Sequence, residues 1–303
     1  MRVMVIGGTG HIGGFLVPQL VASGHEVLVA TRGRRPVPSG GGWEKVTVLT
    51  VPDADVPAFL ASHRAAALID IVQSRATGTY EALRGACGHF IWCGSLWMWG
   101  PPGVVPTPEV PYGPALSGGY VTRMEELQRL RERAREDGVA FTAVMPSNIC
   151  GPGKVPLEMS GGRDPGVHRA HARGEPVTLP AGCNTLIGPC DAEDVAQGFR
   201  RALEAPQAAA GEFFNVGAAY ALTAEQLVRA FGEIHGVEIP IERVSWERFL
   251  GEVMPDGGAN THFRFHMCPD ISKARSRLGY EPIHTPEQSL ARAVEWMRRE
   301  GIL

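Results

Sequence analysis

The chain has 303 residues, 44% of them hydrophobic and 20% charged, with a formal net charge of −3. That is ample apolar material for a large core in one domain or two closely joined ones, and the near-neutral balance gives no electrostatic reason to expect nucleic acid or an acidic membrane surface as a partner. No apolar run reaches bilayer length, glycine breaks the apolar N-terminus too soon for a secretory leader, and the six cysteines (Cys87, Cys93, Cys150, Cys183, Cys190, Cys268) show no Cys-x-x-Cys spacing, so free thiols in a reducing cytoplasm are expected.

In chain order, Val3–Ile6 reads as a buried strand and is followed at once by Gly7, Gly8, Gly10, Gly13 and Gly14. A helix over about Ile12–Ala22 and a strand over Glu26–Ala30 come next. After a Pro/Gly-rich loop, the pattern predicts a strand near Lys45–Leu49, a short helix at Pro57–His63, a strand at Ala67–Val72, a helix near Thr79–Ala86 and a strand at His89–Cys93. Tyr120–Asp137 reads as a long helix with a wet arginine/glutamate face and a buried stripe through Leu127, Leu130 and Ala134. Val139–Met145 closes a strand–helix alternation that argues for an α/β, doubly wound parallel sheet.

From about Pro152 the pattern changes. Gly161–His171 and Gly182–Cys190 read as loop-rich. Helices follow over Asp191–Leu203, capped by Asp191, over Thr223–His235, capped by Thr223 with Gln226, and over Thr285–Glu300, with Pro286 at its start and Gly301 past its end. A strand is expected at Glu212–Val216. The boundaries this suggests are 1–155 for a dinucleotide-binding domain and 156–303 for a smaller, mainly substrate-binding lobe, with segments near 182–217 returning to the first.

A strand, a glycine turn and a helix N-terminus together suit a dinucleotide pyrophosphate. The turn residues Gly7, Thr9, Gly10, His11, Ile12 and Gly13 let the backbone approach the phosphates, and the helix end supplies free N–H groups and a positive field. Where an acid at the end of the second strand would bind a ribose, this chain has Thr31, then Arg32, Arg34 and Arg35. Arginine pairs with a 2′-phosphate that a carboxylate would repel, so NADP is favoured, with NAD as the alternative. Asp53 is a candidate acceptor for the adenine amino group.

The chemistry is expected at Ser95, past the fifth strand, and Tyr120, at the start of the long helix. Tyrosine can give a proton to a carbonyl oxygen or take one from a hydroxyl while a hydride moves, and serine can hold the same oxygen. Trp92, Trp97, Met98, Trp99 and Tyr112 are candidates for an apolar pocket wall, with some of them in the core. His262, His266 and Cys268 have metal-like spacing, but the surrounding DGGANTHFRFHMCPD reads as loop and no metal is expected. His168 and His171 are candidates to face a cleft, Glu109 to join an acid/base pair, and Cys150 to be a buried thiol.

In these segments the chain resembles the extended short-chain dehydrogenase/reductase family, specifically its NAD-dependent epimerase/dehydratase group, over nearly its whole length. GGTGHIG matches the glycine motif, GSLWMWG resembles the strand-five motif with Ser95 at the catalytic serine, and Tyr120 falls at the catalytic tyrosine. VAFTAVMPSNICGPG resembles the strand-six region, which would set Pro146, Ser147 and Asn148 beside nicotinamide or substrate. CDAEDVAQG, GEFFNVG and SKARSRLGYEP resemble the usual later segments. The resemblance implies a Rossmann-type sheet with a C-terminal substrate lobe, a nicotinamide cofactor and a small alcohol, carbonyl or sugar-like substrate.

In this group net reduction or oxidation, epimerase or dehydratase chemistry are all open, as are homodimer and monomer. The family pattern Tyr-x-x-x-Lys is broken, because YVTRM puts Met124 at the lysine position. Arg123 is one residue off and is the candidate to restore part of the charge. The break keeps a non-catalytic nucleotide-binding protein as a third alternative. Strand six ends Met145–Pro146 where the family often has Arg-Pro, which weighs against a nucleotide sugar.

Overall fold

The computed structural model describes residues 1–51, 56–72, 76–115, 117–158, 162–254 and 261–303. Strands β1 (Arg2–Ile6), β2 (Glu26–Thr31), β3 (Thr47–Thr50), β4 (Ala67–Asp70), β5 (His89–Cys93) and β6 (Ala140–Pro146) are joined by the later strand Glu212–Val216. They form one seven-stranded sheet in the order Glu212–Val216, β6, β5, β4, β1, β2, β3. Every pairing in it is parallel.

Parallel strands covered on both faces need apolar residues in both alternating sets. β1 meets this: Met4 and Ile6 enter the core on one face, and Val3 and Val5 enter the core on the other. The first face packs residues of α2 (Val56–Ala61), α3 (Ala76–Leu83) and α4 (Gly118–Asp137). The second packs α1 (Gly13–Ala22) and α6 (Ala192–Glu204), where Leu16, Leu20 and Phe199 are fully buried, each worth about 2–3 kcal/mol of transfer free energy.

Local signals set most boundaries. α4 starts where the Ser117 side chain accepts from the Tyr120 N–H and ends at Gly138, whose φ of 68° suits glycine. Its buried residues are Met124, Leu127, Leu130 and Ala134, so Met124 extends the expected apolar stripe by one turn toward Tyr120. The helices Ala224–His235 and Pro286–Arg299 both carry full capping boxes, from Thr223 with Gln226 and Thr285 with Gln288. α3 begins at Ala76 and ends at Leu83, ahead of the expected Thr79–Ala86. β3 starts at Thr47 because Trp43–Lys45 forms a 3-10 turn instead.

After β6 the chain builds a second body of structure with its own core, including Leu179, Leu227, Phe231, Phe249 and Leu290. Here loop-rich expectations fail. Pro165–Ala172 is α5, capped by Asp164 Oδ1 on the Gly166 N–H at 2.7 Å. Its Asp-Pro-Gly start is a helix signal, with Asp164 as cap and proline in the first turn. Leu186–Ile187 and Pro189–Asp191 are short strands, the second pairing in parallel with Asn148–Cys150. Arg292, on the last helix, bonds Asp191 Oδ2 at 2.9 Å and Glu193 Oε2 at 2.7 Å. That ties the C-terminal helix to the start of α6.

Candidate active site

In this strand order the direction of winding reverses between β1 and β4, and their carboxyl ends open a crevice. The glycine turn enters it. Gly7 has φ +84°, and a Cβ there would lie 2.6 Å from Val72 Cγ2. At Gly13 a Cβ would lie 2.4 Å from the Gly8 carbonyl oxygen. Hydrogen bonds from Gly10 N to Gly7 O (2.9 Å) and from Gly14 N to Gly10 O (2.8 Å) close the turn. No side chain caps α1 and no acid stands in its first turn. The helix end therefore keeps its donors and positive field for a ligand, which fits a dinucleotide diphosphate.

Two cavities lie along this crevice. One, of about 390 Å³, is lined by Gly7, Thr9, Gly10, Thr31, Arg32, Arg34 and Arg35. Thr9 Oγ1 and Thr31 Oγ1 are 3.0 Å apart, which fixes the end of β2 against the turn. No carboxylate lines this cavity among the described residues. Asp53 lies outside those residues.

The second cavity, of about 440 Å³, brings together Ser95, Tyr120, Arg123, Pro146, Ser147 and Asn148, with Ile12 at its edge. Ser95 sits just past β5 and caps the turn Leu96–Trp99, its Oγ accepting from Trp97 N at 3.4 Å. Tyr120 is half-buried in the first turn of α4. Burial and the Asp70 charge push the Cys93 thiol up to about 12, and the Arg123 charge opposes that rise. Met124 is only 7% exposed and belongs to the core. Ser147 donates to the Gly188 carbonyl at 3.0 Å, while Asn148 Nδ2 has no protein partner. His11 and Gly13 line neither cavity. The His11 ring rests against the Gly151–Lys154 loop, with Cδ2 3.4 Å from where a Gly153 Cβ would be.

Several candidates lie elsewhere. Among the aromatic and methionine candidates only Trp97 lines the cavity, with His262 edge-on at 5.3 Å. Trp92 is fully buried, Met98 and Trp99 are core, and Trp99 Nε1 donates to Asn215 Oδ1 at 2.9 Å. Tyr112 packs near Gly103. Glu109 does not line the cavity: its Oε1 accepts from Asn215 N at 2.9 Å, and burial raises its pKa. His168 and His171 face the lobe core against Phe231, not the cleft, and His168 Nε2 meets the Pro156 carbonyl at 3.0 Å. His266 Nδ1 accepts from Leu186 N at 3.1 Å. Cys150 is a buried thiol, pushed up to about 12 by desolvation.

Two charged residues of this cavity, Lys154 and Arg163, were not singled out from sequence. Lys154 is one of only three lysines against a large excess of arginine, and it follows Gly-Pro-Gly directly; that contrast was the available signal. Burial, then the charges of Arg163 and Arg35, push Lys154 down to about 8. Burial, then Lys154 and Arg163, push His11 down to about 4.

A doubly wound parallel sheet, a glycine turn feeding an uncapped helix, and serine and tyrosine in one crevice cavity define a dinucleotide-binding α/β protein. The chain belongs to the NAD dependent epimerase/dehydratase family, whose model matches residues 3–217. A 120-residue stretch is 32% identical to the 2'-dehydrokanamycin reductase of Streptomyces kanamyceticus, spanning 39% of this chain and only 34% of that protein. The fold is shared end to end with a UDP-glucose 4-epimerase of Thermotoga maritima bound to UDP-glucose, at 22% identity, 99% coverage of each chain and a TM-score of 0.73. It is also shared with a nucleoside-diphosphate-sugar epimerase of Pseudomonas aeruginosa, at 21% identity, 100% and 99% coverage and a TM-score of 0.75. No helix among the described residues is long and apolar enough to cross a membrane.

Proposed function

We propose that the chain is an NADP-dependent oxidoreductase interconverting an alcohol and a carbonyl in a small, sugar-like molecule. The observation that carries this is the meeting of Ser95 and Tyr120 in one cavity beside the glycine turn. Bound nicotinamide would supply or accept the hydride. In reduction the Tyr120 hydroxyl gives its proton to the carbonyl oxygen, and in oxidation the phenolate takes the proton of the substrate hydroxyl. Ser95 Oγ donates to the same oxygen and fixes its place. Arg123 lines the cavity and places a positive charge on the α4 side of it. Thr31 and the three arginines around the other cavity suit a 2′-phosphate better than a bare ribose, which supports NADP over NAD. "Reductase" is also the activity in the curated relative's name.

The test is NADPH consumption with a panel of small ketones and aldehydes. Stoichiometric loss of NADPH absorbance, slowed at least about a hundredfold by Tyr120→Phe, is expected. Turnover undiminished in Tyr120→Phe contradicts the assignment. Product formed without net loss of NADPH moves the assignment to an epimerase, which would use the same residues in a transient oxidation. A dehydratase would need a further acid/base pair, and no carboxylate lines this cavity among the described residues. The buried Met124 favours one second reading, a nucleotide-binding protein without turnover. It predicts cofactor binding but no NADPH loss with any substrate.

A further inference from the structure

We infer that the His11 side chain is the proton-linked element of the dinucleotide site: it takes up a proton when the cofactor's diphosphate settles on the glycine turn, and so makes cofactor affinity depend on pH. This rests on the dinucleotide assignment and goes beyond it, because the turn itself needs only backbone at this position.

His11 stands between Gly10 and Ile12, in the turn whose N–H groups and helix field suit the diphosphate. Its ring lines neither crevice cavity and rests instead on the Gly151–Lys154 loop, with Cδ2 3.4 Å from where a Gly153 Cβ would be. The ring atom Nε2 is buried and has no partner in the protein. A buried imidazole with an unused nitrogen keeps a proton site in reserve. In the free chain its surroundings favour the neutral ring. Burial acts most, then the positive charges of Lys154 and Arg163, while the Gly151 and Pro152 carbonyls favour the charged form. Asp191, whose Oδ1 would lie 2.8 Å from a Gly151 Cβ, is engaged by Arg292 and by the Glu193 N–H.

A diphosphate reverses this balance. It brings two negative charges onto the backbone that carries the imidazole, and their attraction favours imidazolium. The opposing effect, further desolvation, is small because the ring is already buried in the free chain. The Gly151 and Pro152 carbonyls serve the charged ring as acceptors. Since the bound state holds more protons, affinity rises as pH falls toward the bound-state pKa of His11 and is flat well above it.

Calorimetric titration of NADP⁺ into the full chain at about pH 5.5 and about pH 8, each in two buffers of different ionisation enthalpy, counts the protons. His11→Phe and His11→Gln are measured beside the unmutated chain, so that titration of the cofactor's own 2′-phosphate, with a pKa of about 6, cancels. At the lower pH the unmutated chain should take up about half a proton more than either variant, and its affinity should gain about twofold on theirs relative to the higher pH. Should a variant fail to fold, NMR titration of the His11 ring with and without saturating NADP⁺ replaces it, and the midpoint should move up on saturation. Equal proton uptake in all three chains, or a His11 midpoint unmoved by NADP⁺, overturns the inference and leaves the dinucleotide assignment standing. Folded chain that binds no NADP⁺ at either pH overturns both.

Discussion

The two walls of the Tyr120 cavity are made from different materials. The sheet wall consists of strand ends, Ile12 at the start of the uncapped helix α1, and short hydroxyls such as Ser95. The other wall, after β6, carries long side chains: Lys154 and Arg163 on irregular backbone and His262 on the short helix Thr261–Arg264. Backbone donors at strand ends serve any dinucleotide, because what they recognise is common to all of them. Long side chains on loops can be exchanged without disturbing the sheet, so the specific part of recognition belongs there.

The contrast can be broken from the sheet side first. Gly13→Val should abolish dinucleotide binding, since any Cβ would meet the Gly8 carbonyl at 2.4 Å. Retained NADPH affinity in that variant would show that the turn is not the cradle. Next in size, Tyr120→Phe should cut turnover by about 10²–10⁴-fold while leaving NADPH affinity within about twofold. An equal loss in binding and turnover would make Tyr120 a structural residue.

A third test compares one buried histidine from each region. His89 in the sheet and His171 in the lobe are both held down to about 4, chiefly by burial. Thr142 Oγ1 donates to Ala209 O at 2.9 Å, so His89 Nε2 is the donor to Thr142 Oγ1, also at 2.9 Å, and His89 Nδ1 has no acceptor to receive a second proton. With folded pKa values below the unfolded value of 6.5, the unfolded chain binds more protons in acid. Stability should therefore be full above pH 6.5 and fall between pH 6.5 and about 4, by about 3 kcal/mol per histidine. Urea melts across that range measure it. His89→Gln and His171→Phe should each flatten the fall, and a pH-independent midpoint would contradict the burial argument. The smallest effect concerns cofactor choice. Arg34→Ser with Arg35→Ser should weaken NADPH about tenfold and leave NADH nearly unchanged. Equal losses for both would remove the basis for preferring NADP.

The same contrast governs how much was legible from the sequence. The seven-stranded sheet was readable because buried parallel strands need continuous apolar runs, and the caps Asp191 and Thr223, with Pro286 in the last helix, marked helix starts to within a residue. The crevice was readable from the glycine turn, whose strand–glycine–helix order marks the carboxyl end of β1. Helix α5 was hidden because Asp-Pro-Gly signals a turn and a helix start alike. Lys154 and Arg163 were hidden because no periodicity ties a loop side chain to a cavity wall formed by residues far away in the chain. His168 and His171 looked functional because histidine is a reactive type, yet only packing against Phe231 decides their place.

The most direct measurement is calorimetric titration of NADPH and NADH into the folded, unmodified chain. Saturable binding at one site per chain, tighter for NADPH and lost in Gly13→Val, is the predicted result. Folded protein that binds neither nucleotide would contradict the account at its root.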